Sequence, residues 1–214
     1  MYKQLLAEIQ QYLDTQTFNN SNTDADGRLN SNTDEKYIIS LLQKHFGDRL
    51  KKMRYRAWCD VVIDGFPFNI KSTRGTGYDN TANYKALRYA FIDADTDIDF
   101  DFDKKQDKNK DIEPLLLMIE KVISGYKIPD LERDYGFIVF NKIRKDFTVA
   151  PLKSILSVKQ NSSNLPFQSK WDDNQNWTHC TDTTEAFKKI VIEPLEAVHT
   201  SFHVRVSECL NKLI

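Results

Sequence analysis

Apolar residues recur along this chain with two periods. In residues 2–14, Leu5, Leu6, Ile9 and Leu13 return at helical spacing and predict a short amphipathic helix. A stretch rich in Asn, Asp, Ser and Thr over 15–33 reads as a loop. A second helix is expected over about 33–46, with Ile38, Ile39, Leu41, Leu42 and Phe46 as its stripe. Further helices are expected over about 81–92, 113–124 and 183–213, with Pro194 near a break or a helix start. Between them the pattern shortens to strands. Residues 53–72 predict a β-hairpin, and 135–142 with 146–152 a second strand pair. Residues 73–80 and 162–171 read as loops, and the charged run 93–111 as a surface loop or extended edge. No internal repeat is visible. Strands lying between helices predict an α/β (α+β mixed) fold with a central mixed β-sheet flanked by helices, in one domain over 1–214.

The stretch Cys59–Ser72, CDVVIDGFPFNIKS, holds the most informative polar positions. Asp64-Gly65 is the strongest short turn signal in the chain. With that turn, Ile63 faces Phe66, Val61 faces Phe68 and Asp60 faces Asn69. Alternation then puts Cys59, Val61, Ile63, Phe66, Phe68 and Ile70 on one apolar face. Asp60, Asn69 and Lys71 share the other, with Trp58 opposite Lys71 and with Val62 and Pro67 beside the turn. Directly opposed Cβ atoms lie ~5 Å apart, so Asp60 and Asn69 could share one cation. A solvated face carrying ordinary charges fits the same pattern, and the pattern alone leaves both readings open.

Composition narrows the class. Net charge is −1, which advertises no overall affinity for nucleic acid, yet thirty Lys and Arg residues can still cluster on one face. Three cysteines with no CxxC pair argue against a zinc knuckle and for reduced thiols. The first residues lack a continuous hydrophobic core, so they do not read as a signal peptide. No apolar run approaches the ~20 residues that span a bilayer. These features predict a soluble, cytoplasmic protein with no membrane partner.

Asp60, followed nine residues on by Asn69-Ile70-Lys71, resembles the PD-(D/E)xK nuclease motif, an acid on one strand and acid-x-Lys on the next. FNIKSTRGTGYDNTANYKALRYAF, YGFIVFNK and SVKQNSSNLPFQSKW, in that order, resemble the type II restriction endonucleases of the HincII and EcoRV kind. GRLNSNTDEKYIISLL is similar to a helix start in several of them, and the similar blocks cover about residues 27–175. The resemblance implies a restriction-endonuclease-like fold and Mg²⁺-dependent hydrolysis of double-stranded DNA. It further implies 5′-phosphate and 3′-hydroxyl ends (blunt in this kind), a homodimer, and a bacterial cytoplasm. It assigns Asp60, the Asn69 side chain and the Ile70 carbonyl to the metal, and Lys71 to the attacking water and the developing phosphate charge. Hard Mg²⁺ takes such oxygen ligands. The chain departs from the family at Asn69, where Asp or Glu is usual.

Glu35 is a second candidate acid. It falls on the apolar stripe of its helix, and the resemblance implies a helix acid reaching the metal site. A near-capping box, with Asn32 as N-cap and Glu35 three residues later, explains it equally well.

A sequence-reading enzyme needs phosphate contacts for register and base-edge contacts for specificity. Arg74, Tyr78, Asp79, Asn80 and Asn83 follow the active strand, and Asn80, Asn83, Arg74 and Tyr78 are candidates for DNA binding. Ser162, Asn164 and Gln168 lie in the block similar to the family's recognition region. Lys51, Lys52, Arg54 and Arg56 are plausible phosphate contacts, or simply a solvated cluster.

Other signals fail. The acidic run from Asp95 to Asp103 lacks the Gly and Glu of an EF-hand. His199 and His203 lack the Glu of a zinc HExxH site, and no GxxxxGK[ST] implies a nucleotide cofactor. Two alternatives to the restriction enzyme stay open: a monomeric nicking or repair endonuclease of the same fold, and a sequence-specific DNA-binding protein with an inactive nuclease site.

Overall fold

The structure, a computed structural model, describes residues 1–18, 27–54, 57–81, 84–92, 113–156, 158–160 and 167–196. Its chain order is α1 (Tyr2–Asp14), α2 (Gly27–Phe46), β1 (Leu50–Lys52), β2 (Val61–Ile63), β3 (Phe66–Thr73), β4 (Tyr78–Asn80), α3 (Tyr84–Phe91), α4 (Glu113–Ile123), β5 (Gly136–Asn141), β6 (Asp146–Pro151), β7 (Lys159–Gln160), β8 (Phe167–Lys170) and α5 (Thr183–Phe187). A π-turn over Lys188–Ile192 and a helical turn over Glu193–Glu196 extend α5, with Pro194 inside that last turn.

The expected mixed α/β architecture is present. Five strands form a sheet in the order β1-β2-β3-β5-β6. Only β3 and β5 run parallel; the other pairs are antiparallel. A second, three-stranded antiparallel sheet has the order β4-β8-β7. Both faces of the large sheet are covered. On one, α1 and α2 pack Leu5, Ile9, Leu13, Ile38 and Leu42 against Val61, Phe68, Ile70, Ile138 and Phe140. On the other, α3, α4 and α5 pack Leu87, Phe91, Ile119 and Phe187 with Phe137, Val139, Phe167 and Trp171. Double coverage explains why β5 is buried at every position rather than alternating. Strand β6 is the edge next to α1. There the Gln10 amide donates to Phe147 O (2.9 Å) and accepts from Val149 N–H (2.8 Å), pairing backbone groups that an edge leaves open.

The hairpin register is as the turn predicts. Asp64 and Gly65 both have positive φ (50° and 84°), the I′ geometry that matches strand twist. Val61 faces Phe68, Val62 faces Pro67 and Ile63 faces Phe66. Several expectations need correction. Helix α2 begins at Gly27, not near residue 33, so Asn32 lies inside it and is not an N-cap. The stretches 73–80 and 162–171 are not simply loops, since they supply β4 and β8. Their short strands mix polar and aromatic residues, which hid the period. The ladder between β2 and β3 ends at Val61–Phe68, so Asp60 does not face Asn69 and Trp58 does not oppose Lys71. Cys59 is buried, but among the residues of the opposite core layer, away from Val61 and Ile63. The polar face is no solvated surface either, because Trp58 and Val62 on it pack against that second layer. Among the described residues no helix is long and apolar enough to cross a membrane.

Candidate functional site

The break at Asp60 builds the site. Its N–H bonds Phe68 O (2.9 Å), one residue out of the ladder's register, and the backbone then swings away from β3. Beyond Phe68, β3 is left with an open edge on that side. The Asp60 carboxylate occupies it and accepts the Ile70 N–H through Oδ2 at 2.7 Å. A side chain thus replaces the missing strand, which is how a bulge re-aims a group beside a sheet. In extended backbone the N–H and C=O of one residue point the same way, so the Ile70 carbonyl faces this edge too.

Asn69 and Lys71 sit on the face of β3 that carries Phe137 and Val139, their neighbours on β5. The Asn69 side chain lies near the Tyr135 phenol and favours its ionised form, against the burial that raises its pKa. That phenol donates its own proton to Trp58 O (3.0 Å). Asn69 Oδ1 is buried and has no hydrogen-bond partner. A buried acceptor left unpaired costs about 1–3 kcal/mol. A cation or a ligand donor would remove that cost.

Charges converge on Lys71. Burial lowers its pKa, and the carboxylates of Asp60, Asp79 and Glu35 oppose that shift. Burial raises the pKa of Asp60, against the Ile70 N–H and Lys71. Glu35 is raised by burial and by Asp60, with Lys71, Lys52 and Lys36 pulling it down. The α2 acid therefore feels Asp60 and Lys71 directly, and the capping explanation for it is gone. Its neighbour Asp34 is buried, accepting from Ser72 Oγ (2.6 Å) and pairing with Lys142 Nζ (2.9 Å). This anchor ties α2 to β3 one residue past Lys71 and so holds Glu35 in place.

The DNA-contact candidates divide. Tyr78, Asn80 and Gln168 meet on the small sheet: Asn80 pairs with Gln168 across β4 and β8, and Gln168 Nε2 lies 3.5 Å from Asn80 Oδ1. Arg74 is exposed at the end of β3, where Gly75 turns the chain at φ +82°. Lys51, Lys52 and Arg54 are exposed. Asn83, Ser162, Asn164 and Arg56 lie outside the described residues, as do the Asp95–Asp103 run, His199 and His203.

Sequence reasoning missed Tyr135, Asp34, Lys142, Lys159 and Lys170, and passed over Asp79 for any role. None belongs to a motif; long-range pairing brings each in. All six lie within the stretches quoted for the resemblance, but nothing in those stretches singles them out.

Among the described residues no three His, Cys, Asp or Glu side chains come together as a metal-binding group. The donors at the strand edge are of another kind: one carboxylate, one unpaired amide oxygen and one backbone carbonyl. All are hard oxygens, few in number, and suit an ion that keeps several waters, as Mg²⁺ does. The residues present thus fit a weakly held Mg²⁺. The sequence matches no protein-family model, and no curated protein is similar enough to count as a relative.

Proposed function

We propose that this chain is a Mg²⁺-dependent endonuclease that hydrolyses double-stranded DNA, a type II restriction endonuclease of the PD-(D/E)xK kind. One observation carries the reading. At the edge of β3 opened by Asp60, a half-buried lysine lies among carboxylates while a buried amide oxygen two residues before it stays unpaired.

Asp60, Asn69 Oδ1 and the Ile70 carbonyl would hold the cation. When bound, Mg²⁺ polarises the phosphate and makes bound water more acidic. Lys71 places its ammonium against the phosphate oxygens and orients the water, offsetting charge that grows in the transition state. Asp60, kept in place by the Ile70 N–H, fixes the water's line of approach. Glu35 accepts a hydrogen bond from that water or its neighbour and helps keep Lys71 protonated. Attack on phosphorus forms one P–O bond, the water giving up a proton to solvent, and breaks the P–O3′ bond. A 5′-phosphate and a 3′-hydroxyl result, the leaving oxygen taking its proton from solvent. A two-fold symmetric site would be cut by a homodimer. In this reading the enzyme works in the bacterial cytoplasm.

The amide at position 69 favours a second reading, a DNA-binding protein that does not cut. An amide oxygen binds Mg²⁺ more weakly than a carboxylate does. Digestion of plasmid in Mg²⁺ followed by end sequencing separates the two. Discrete ends at one repeated sequence support the enzyme. Tight, sequence-dependent binding without ends in either Mg²⁺ or Mn²⁺ supports the binder. Cleavage seen only in Asn69→Asp would mark residue 69 as the reason.

A further inference from the structure

Strand β4 presents different chemistry on its two sides. Residues paired across an antiparallel ladder share a face. Tyr78 pairs with Lys170, Asn80 with Gln168, and Gln168 with Lys159. The outer face of the small sheet therefore carries Tyr78, Asn80, Gln168, Lys159 and Lys170. Lys159 Nζ sits 3.6 Å from the centre of the Tyr78 ring, bridging the sheet's width on that face. Two amides, a half-exposed tyrosine and two lysines form a surface suited to duplex DNA. Amides read base edges and lysines hold phosphates. Lys170 also pairs with Asp173 at 3.3 Å, an exposed contact that a phosphate could displace.

The inner face carries Asp79, beside Ser169, which is fully buried. Asp79 Oδ2 accepts the hydroxyl of Thr73, and Thr73 Oγ1 accepts the Gly75 N–H (2.9 Å). Thr73 is buried and lies two residues beyond Lys71, on the same face of β3. The Asp79 carboxylate also acts on the Lys71 ammonium. Gly75 is clamped in turn. A Cβ there would overlap the side chains of Asp172 and Asn141, and Asp172 N–H bonds Gly75 O (3.3 Å). The three residues of β4 thus span from the outer surface to the strand that bears Lys71.

We propose that β4 transmits DNA contact to the active strand: Tyr78 and Asn80 engage the duplex outside, and Asp79, through Thr73, positions Lys71 inside. Asp79 is a positioning residue. The inference rests on the nuclease reading only for its consequence in cleavage, since the transmission itself can be read without it.

Hydrogen exchange of residues 69–75, with and without a pool of random-sequence duplexes, tests it. Wild-type protein should bind the pool, and binding should slow exchange in this segment. In Asp79→Asn the pool should bind within about twofold as tightly, while the added protection at 69–75 is lost. If the protein cuts, kcat should fall about 10²-fold in that variant with KM nearly unchanged, the size expected of a misplaced group. Thr73→Ser should restore what Thr73→Val loses. The proposal is overturned if the duplexes do not bind, if binding leaves 69–75 unchanged, or if Asp79→Asn keeps the protection. It is also overturned if Asp79→Asn loses binding and protection together, a merely structural effect. Protection lost in the variant, with no cleavage by the wild type in any metal, would sink the nuclease reading alone.

Discussion

Lys71 is held where its charge is costly. Burial lowers its pKa, and Asp60, Asp79 and Glu35 answer that pull. The pH dependence of kcat/KM should show both sides. Asp60 and Glu35 must be ionised to act, and burial raises both, so the acid limb should lie above the ordinary carboxylate range of about 4. Lys71 must be protonated, and its pKa is lowered, so activity should fall on the alkaline side before an ordinary lysine, at about 10.4, would titrate. Glu35→Gln should move the acid limb, and an unmoved limb would remove Glu35 from the site. Asn69→Asp adds a second carboxylate where an amide oxygen is unpaired. It should lower the Mg²⁺ concentration needed for half-maximal cleavage, read from a metal titration. The residue types of this site were legible in the chain, because Asp-Gly gives the turn and alternation gives the face. The placement of Asp60 was not. A register break driven by one N–H to Phe68 O leaves no periodic trace.

At the scale of elements, the strands that alternate cleanly or run apolar were legible, and those of two to four residues with mixed polarity were not. Strands β4 and β8 exist because they pair with each other and pack Phe167 into the core. Neither has a signal of its own. The start of α2 was hidden by GRLNSNT, whose Asn, Ser and Thr side chains compete with helical backbone bonds. The turn at Gly75 is a sharp test of how loop and site depend on each other. Gly75→Ala would put a Cβ at positive φ against Asp172 and Asn141. It should destabilise the fold by about 1–3 kcal/mol in urea unfolding. A variant as stable as wild type would mean that the clamp gives way easily. At the end of β5 away from this clamp, Asp134 is buried and accepts the N–H groups of Tyr135 (2.7 Å) and Lys153 (3.2 Å). Burial raises its pKa to about 7. In the unfolded chain an aspartate titrates at about 3.9. The folded state therefore holds this proton longer, and its contribution is full below about pH 4 and is lost as pH rises through 7. Melting temperature should fall across that window more steeply in wild type than in Asp134→Asn. Equal slopes would show that Asp134 is charged in the fold.

At the scale of the whole molecule, the large sheet buries both faces, and one opening lies where β2 ends and β3 continues. The small sheet stands beside that opening and offers lysines and amides outward. A net charge of −1 hides this, because the sum over the chain says nothing of where charge sits. The mixed α/β order of elements could be read from the sequence, but the crossing of β3 to β5 and the pairing of β4 with β8 join residues far apart in the chain, beyond what local pattern reports. If two copies act together on a two-fold site, sedimentation should show a dimer on duplex DNA, and both strands should be cut in one binding event; a monomer that only nicks would fit the repair-type alternative. The most direct test is digestion of supercoiled plasmid with Mg²⁺ by wild type and by Lys71→Ala at equal DNA occupancy. Wild type should give discrete double-strand fragments, and the variant should lose at least about 10²–10³-fold, the usual cost of removing one group that stabilises the transition state. Intact plasmid with wild type in every divalent metal, or equal cutting by both proteins, would contradict the nuclease reading.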